Sequence, residues 1–269
     1  MTLSRSVRRI FALGGVVMAG LLVGVAVYVV RERSFDVYRG IPARQLPADW
    51  NVRVKVGIIG DSWVAGGKLD EPLRRRLSEG GLEAEVVSSG HPGAKSREIY
   101  RDLLADPSRP NSGKALLMDE DLDYLVVIAG VNDTFGHIGR DFYAYHILGI
   151  IQAAQDRAVE PLVVEVPEYG IECTPASGVA SWGKHLLYRY LFDGGKVNVI
   201  EDYRRELSTR LTALPTPVTV IRFGSFVRDH DSSSHVYADP SHLNPQGNAA
   251  LASLIAGEVI ELHRKRTTK

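Results

Sequence analysis

The decisive stretch of the chain is Val54-Lys55-Val56-Gly57-Ile58-Ile59-Gly60-Asp61-Ser62-Trp63. Its first part is short and rich in β-branched residues, which is typical of a strand buried on both faces of a sheet. Gly60 allows a sharp turn, and Asp61 and Ser62 are good N-cap residues for a following helix. Ligands of open α/β sheets bind beyond the carboxyl ends of the strands. The stretch therefore predicts a strand that presents Ser62 at a binding edge, although a capping serine fits the same residues.

Strand and helix patterns alternate along the chain from this stretch onward. Short apolar runs predict five strands, and charged residues at helical spacing predict the helices between them. The predicted strands are Val54–Gly60, Leu82–Val87, Leu122–Ala129, Pro161–Val166 and Val218–Phe223. The predicted helices are Leu69–Glu79, Ser96–Leu104, Arg140–Arg157, Ser181–Phe192, Glu201–Leu211 and Pro245–His263. This alternation predicts a three-layer α/β/α sandwich around a mainly parallel five-stranded sheet.

The N-terminal segment has a different character. The run Ile10–Val30 carries no charge, and at about 1.5 Å per residue it spans roughly 30 Å of hydrocarbon. We expect a cytoplasmic tail and single-pass transmembrane anchor in residues 1–33, a juxtamembrane linker over 34–51 and one domain over 52–269. The excess of arginine before the run favours an extracytoplasmic domain, periplasmic or extracellular. A cleaved signal peptide is the alternative, but no small-x-small cleavage site follows the run.

The composition argues against several classes of protein and site. Basic and acidic side chains number 32 each, so no charge bias favours nucleic acid as a partner. Cys173 is the only cysteine, which excludes an intramolecular disulfide framework and a cysteine-rich zinc site. The histidines and aspartates of residues 229–242 lack a recognised ligand spacing, so we expect no metal.

Four polar stretches fall at strand ends or before the last helix. They are Gly60-Asp61-Ser62, Ser88–Ala94, Gly130-Val131-Asn132-Asp133 and Asp239–Asn244. Acyl transfer by a serine needs a base within hydrogen-bond reach and an acid that orients the base. His242 can act as the base for Ser62, and Asp239 can hold its other ring nitrogen. The backbone N–H groups of Ser62 and Gly93 and the side-chain amide of Asn132 can stabilise an oxyanion.

These four stretches resemble the SGNH hydrolases, also called GDSL-type esterases and lipases. The Ser, Gly, Asn and His that name the family match Ser62, Gly93, Asn132 and His242, and the family's Asp-x-x-His pair adds Asp239. The order and spacing of these motifs agree with those of the family from about residue 54 to 258. The resemblance implies a flavodoxin-like SGNH fold, a Ser-His-Asp triad, an oxyanion hole of Ser62, Gly93 and Asn132, and no cofactor.

Two residues depart from the family pattern. Trp63 stands where an aliphatic residue usually follows the serine, and Ser88 stands where asparagine is common. Trp63 can narrow the mouth of the site or offer a flat face to a sugar; packing in the core is the alternative. The Gly-x-Ser-x-Gly elbow of α/β-hydrolases is absent around Ser62, and no phosphate-binding glycine motif follows the first strand.

These features predict a membrane-anchored serine ester hydrolase. An exported, anchored enzyme lies near envelope glycans and lipids, so we expect it to remove acyl groups, acetyl in particular, from such partners. Transfer of the acyl group to a sugar hydroxyl, or a non-catalytic role in envelope binding and assembly, are the alternatives. We expect the aromatic residues of the predicted helix Ser181–Phe192 to pack against the domain rather than to bind a ligand: Trp182, Tyr188, Tyr190 and Phe192.

Overall fold

The computed structural model describes residues 5–41, 54–104, 113–119, 121–174 and 178–268. The chain forms two compact units, one up to Asp36 and one from Val37 onward. Residues 42–53, which include most of the predicted linker, lie outside the described residues.

The first unit contains helix α1, Arg5–Glu32. The predicted membrane span Ile10–Val30 falls within this helix, but the side chains before Val16 lie outside the described residues. In the part of the chain that the structure describes, no helix has both the length and the apolar character needed to cross a membrane. The predicted anchor therefore stays a prediction.

The second unit is built on a parallel sheet of five strands in the order β2-β1-β3-β4-β5. The strands are β1 Val54–Gly60, β2 Ala84–Gly90, β3 Tyr124–Ile128, β4 Glu160–Val164 and β5 Thr219–Ile221. A separate antiparallel hairpin is formed by β6 Tyr237–Asp239 and β7 His242–Leu243. The predicted five-stranded parallel sheet is confirmed.

Helices cover the sheet as two further layers. They are α2 Asp70–Glu79, α3 Ser96–Leu104, α4 Gly113–Asp119, α5 Val131–Phe135, α6 Arg140–Asp156, α7 Gly178–Phe192, α8 Ile200–Thr212 and α9 Pro245–Thr267. Helix α2 packs against α9, whereas α3 and α8 pack against α6. This arrangement confirms the three-layer α/β/α sandwich.

The central strands owe their position to uninterrupted apolar sequence. Every residue of β3 is buried, as are all residues of β1 except Lys55. A strand that lacks polar alternation is stable only when helices cover both of its faces. The apolar sequence of β1 and β3 therefore places them in the middle of the sheet.

Three local features differ from the sequence predictions. Helix α2 begins at Asp70 with Leu69 at its N-cap, so Asp61 and Ser62 form a turn and cap no helix. Helices α4 and α5 and the hairpin were not predicted, because they are too short to show a period. Tyr38, which belongs to the predicted linker, packs against the domain and donates a hydrogen bond to Asp156.

Two glycines set how closely the turn after β1 approaches its neighbours. Gly60 pairs with Gly90 on one side and with Ile128 on the other. A Cβ atom on Gly90 would lie 2.3 Å from the backbone nitrogen of Ala65, and one on Gly60 would lie 2.2 Å from the carbonyl oxygen of Ile128. The turn therefore rests directly on backbone, where no side chain fits.

Replacing Gly90 should test this close approach. We expect Gly90→Ala to lower the free energy of unfolding by about 1–3 kcal/mol, because the added methyl group overpacks the turn. Urea unfolding followed by circular dichroism measures the change. The control is Gly257→Ala on α9, where no atom lies within 4 Å; it should stabilise the helix by about 0.5–1 kcal/mol. A Gly90→Ala protein as stable as the wild type would contradict the expected clash.

Candidate active site

The turn after β1 presents Ser62. The N–H groups of Val64 and Ala65 donate to the carbonyl oxygen of Asp61 at 3.2 and 3.1 Å. The buried carboxylate of Asp61 also accepts the N–H of Trp63 at 3.0 Å. Asp61 therefore fixes the turn from beneath, and Ser62 lies half-buried beside it.

The hairpin brings a base and an acid to Ser62. His242 Nε2 lies 2.9 Å from Ser62 Oγ, and His242 Nδ1 lies 2.9 Å from Asp239 Oδ2. These contacts join the three residues in one hydrogen-bonded chain, as a general base for a serine requires. The structure thus brings together Ser62, His242 and Asp239, which the sequence predicted as catalytic.

Hydrogen bonds keep the Asp239 carboxylate ionised. Partial burial acts to raise the pKa of Asp239, but the backbone N–H of Ser241 at 2.8 Å and the imidazole of His242 outweigh it. The net effect is a pKa below the usual value. The Ser241 hydroxyl adds a bond to Asp239 at 3.0 Å and lies 3.2 Å from His242 Nδ1. An ionised carboxylate at this position holds the imidazole with its Nε2 toward Ser62.

The predicted oxyanion residues follow the two strands that flank β1. Gly93 lies in an exposed turn after β2 with φ near +77°, a conformation that glycine adopts at no steric cost. Asn132 opens α5 directly after β3, and its Nδ2 donates to Ala94 O at 3.0 Å. The same Nδ2 lies 3.4 Å from Asp61 Oδ2, a weak contact that it can exchange for an oxyanion. Gly93 and Asn132 therefore lie on the two strand ends next to that of Ser62.

Two buried carboxylates support this edge of the sheet. Desolvation, together with the negative charge of Asp133, raises the pKa of Asp61 to about 7. Desolvation likewise raises the pKa of Asp133 to about 6, although the backbone N–H and hydroxyl of Ser96 donate to it. Asp133 thereby fastens the start of α3 to α5. Both carboxylates accept hydrogen bonds from backbone N–H groups and so hold the backbone in place.

Trp63 joins the turn to the hairpin. Its indole Nε1 donates to Ser241 O at 2.8 Å, and its ring contacts Phe223 edge-on with the ring centroids 5.6 Å apart. The side chain is 3 % exposed, so it neither narrows the mouth of the site nor offers a face to a sugar. The aliphatic residue usual in the family has no donor for this bond. Trp63 therefore packs in the core, as the alternative interpretation of the sequence had it, and its indole also donates a hydrogen bond to the hairpin.

The loop after β4 supports the hairpin from another side. Gly170 N–H donates to Pro240 O at 2.7 Å, and the Tyr237 hydroxyl donates to Glu168 O. A Cβ atom on Gly170 would lie 3.1 Å from the Pro240 side chain. The sequence did not predict this contact, because the loop contributes backbone groups, the Gly170 N–H and the Glu168 carbonyl. Backbone groups leave no pattern of side chains in a sequence.

Other residues considered in the sequence have local contacts. The Ser88 hydroxyl donates to Asp70, and His91 pairs with Asp102 at 3.0 Å. On α7, Tyr188 is buried as predicted, but Trp182 and Tyr190 are 59 % and 64 % exposed. The prediction that these aromatic residues pack against the domain is therefore wrong for two of them.

Removing the indole donor should weaken the hold on His242. We expect Trp63→Phe to slow covalent labelling of Ser62 by a fluorophosphonate about fivefold, since one hydrogen bond is worth roughly 1 kcal/mol. The pH profile of labelling should shift as well, because it reports the protonation of the proposed base in its surroundings. A thermal melt shows whether the variant stays folded. Labelling with an unchanged rate and an unchanged pH profile would show that the bond is only structural.

Solved structures share this fold at low sequence identity. A lipase/acylhydrolase from Enterococcus faecalis is 16 % identical, with a TM-score of 0.56, and the match covers 77 % of this chain and 96 % of that one. Esterase EstA from Pseudoalteromonas sp. is 12 % identical, with a TM-score of 0.52, and the match covers 78 % of this chain and 98 % of that one. Axe2, an acetylxylan esterase from Geobacillus stearothermophilus, is 14 % identical, with a TM-score of 0.51, and the match covers 77 % of this chain and 94 % of that one. No curated protein matches the chain in sequence.

The family assignment comes from the sequence pattern. Residues 58–250 match the GDSL-like Lipase/Acylhydrolase family, a range that contains the turn after β1, both flanking strand ends and the hairpin. The predicted resemblance is confirmed over most of the chain. The protein belongs to the GDSL-like lipase/acylhydrolase family and is a hydrolase of ester bonds.

Proposed function

We propose that the protein hydrolyses carboxylic esters through Ser62, His242 and Asp239. The observation that carries the proposal is the 2.9 Å separation of Ser62 Oγ and His242 Nε2, with Asp239 bonded to the other ring nitrogen. His242 takes the proton of Ser62 as Oγ attacks the ester carbonyl carbon. The same proton then passes from His242 to the leaving alcohol, and an acyl-serine remains.

Water completes the reaction in the second half. His242 removes a proton from the water as it attacks the acyl carbonyl, and Ser62 leaves with that proton restored. In both halves the negative oxygen is held by the N–H groups of Ser62 and Gly93 and by the amide of Asn132. Losing one such donor typically costs about 10²–10³ in turnover.

The substrates we propose are acetyl esters of envelope glycans or lipids. Gly93 lies in an exposed turn and Ser62 is half-buried, which agrees with an ester whose alcohol part extends toward solvent. The similarity to an acetylxylan esterase agrees with a small acyl group on a sugar. A purely binding protein would have no need of the hydrogen-bonded chain that ends at Ser62.

Ester hydrolysis tests the triad directly. The full-length protein in detergent should hydrolyse p-nitrophenyl acetate faster than the octanoate, and Ser62→Ala should lower kcat by at least about 10³. Asp239→Asn should lower kcat by about 10²–10⁴, because the imidazole loses its orienting charge. The matched control is Ser253→Ala on α9, whose hydroxyl bonds only within its own helix. Full activity in folded Ser62→Ala would refute the proposed nucleophile.

We also propose that residues 1–33 anchor the protein in a membrane, with the domain extracytoplasmic. The support is the uncharged run Ile10–Val30 and the excess of arginine before it. In the expressing cell, the chain should stay with membranes after alkaline carbonate washing, and a version lacking residues 1–33 should not. Protease added to cells with a permeabilised outer layer should digest the domain. Release of the full chain by carbonate would contradict an integral anchor, and protection from protease would contradict the orientation.

A further inference from the structure

A small cavity lies among the end of α5, the loop after β4 and helix α7. Its volume is about 330 Å³, which lies at the low end for ligand sites and leaves room for a single sugar ring. We call it the basic pocket and define it by the side chains of Phe135, His137, Ile171, Trp182, His185 and Arg189.

Two chain segments connect the basic pocket to the proposed catalytic groups. Helix α5 carries Asn132 in its first turn and Phe135 at its end. On the opposite wall, Ile171 follows Gly170, whose N–H donates to Pro240 O in the hairpin of His242. A molecule in the basic pocket therefore lies against the segments that hold the oxyanion donor and the base.

The basic pocket contains a cation without a counterion. Arg189 Nε is buried and has no hydrogen-bond partner, and no described carboxylate forms an ion pair with this guanidinium. Its observed contact is the ring of Tyr190, 5.3 Å from ring centroid to guanidinium carbon. The side chain of Arg189 lines the pocket, so an anion bound there would supply the charged partner that its guanidinium lacks among the described residues.

Cationic side chains lie around the basic pocket. The pKa of His185 is lowered by burial and also by the nearby His137, Lys184 and Lys95. The imidazole of His185 contacts the Phe135 ring edge-on, and His137 is held by Asp193 at 2.9 Å. Glu172 is the acidic residue that lines the pocket, and it is exposed. An anion entering the pocket therefore meets Arg189 in the lining, with Lys184 and Lys95 near His185.

An exposed aromatic ring stands at the same pocket. Trp182 on α7 is 59 % exposed, although burial of such a large apolar side chain would stabilise the fold. An indole and a guanidinium that line the same pocket suit a sugar ring with an anionic substituent, because the ring can stack while the guanidinium binds the charge.

We propose that the basic pocket binds the acidic sugar of the leaving group, so that the enzyme prefers acyl esters of anionic glycans. This inference rests on the proposed ester hydrolysis at Ser62. The ester bond between the acyl carbon and the sugar oxygen breaks, the sugar oxygen takes its proton from His242, and the negative substituent stays on Arg189 throughout. The negative substituent can be the carboxylate of a hexuronate or the phosphate of a sugar phosphate, since both pair with a guanidinium.

Selectivity between acidic and neutral esters tests the inference. The substrates are O-acetylated galacturonate oligomers and O-acetylated xylo-oligosaccharides, with p-nitrophenyl acetate as the reference for basal hydrolysis. The full-length wild type should show the higher kcat/KM on the acidic substrate. Arg189→Gln should lower the acidic-to-neutral ratio of kcat/KM by about 10–100-fold, mainly through KM, because a bond to a charged group is lost. Arg75→Gln, which removes a charge on α2, should leave the ratio and the basal rate unchanged.

Inhibition separates the two sources of negative charge. Unacetylated trigalacturonate and glucose 6-phosphate are each added during hydrolysis of p-nitrophenyl acetate at low and high salt. Salt-sensitive inhibition by trigalacturonate would support a uronate as the natural group. Salt-sensitive inhibition by glucose 6-phosphate would support a phosphorylated sugar. In either case the inhibition should weaken in Arg189→Gln. Trp182→Ala, a change at an exposed position that folding tolerates, should raise KM for the acetylated sugars with little change in kcat.

Several outcomes would overturn the inference. An enzyme that hydrolyses p-nitrophenyl acetate but shows no acidic preference, or that neither anion inhibits, has no such subsite. A fall of equal size on acidic and neutral esters in Arg189→Gln would assign Arg189 a structural role. Absence of p-nitrophenyl acetate hydrolysis in the wild type would instead refute the proposed ester hydrolysis.

Discussion

The register of β1 between its two neighbours is the constraint on which the candidate site depends. Gly60 lies opposite Gly90 on one side and Ile128 on the other, so three strand ends meet at one edge of the sheet. Because backbone atoms occupy the space that a Cβ atom on either glycine would need, the turns that follow lie closer together than side chains would allow. These contacts hold the strand ends that carry the proposed oxyanion donors before any substrate arrives, which is the condition for electrostatic stabilisation without reorganisation.

The proposed base, His242, comes from outside this sheet and needs its own support. The hairpin of His242 is short, and a two-stranded ribbon is at best marginally stable by itself. It is held by the indole of Trp63 through Ser241 O and by Gly170 through Pro240 O. These two bonds connect the hairpin to the ends of β1 and β4, so the position of the imidazole follows from the same sheet that positions the serine.

The sequence predicted those parts of the structure whose signals are local. Strand β1 and helix α3 were predicted at their observed bounds, because an uninterrupted apolar run and the helical spacing of apolar residues are both local signals. Helix α5 and the strands of the hairpin are too short for a period to repeat. The bond of Trp63 joins residues 178 positions apart, which no local pattern encodes, and the exposed Trp182 has the helical spacing of a core residue. The residues of the candidate site were predicted from four short motifs, because these occur along the chain in the order that the family has.

The separation of Ser62 and His242 along the chain has a consequence for when activity arises. The two residues are 180 positions apart, and α9, which directly follows the hairpin, packs against α2, which follows the serine turn. Synthesis proceeds from the N-terminus, and such distant contacts form late in folding because a long loop must first close. A nascent or truncated chain therefore carries Ser62 without the imidazole that we propose as its base. Under the proposed mechanism, chemical competence is gained only at the end of folding, when the last helix docks.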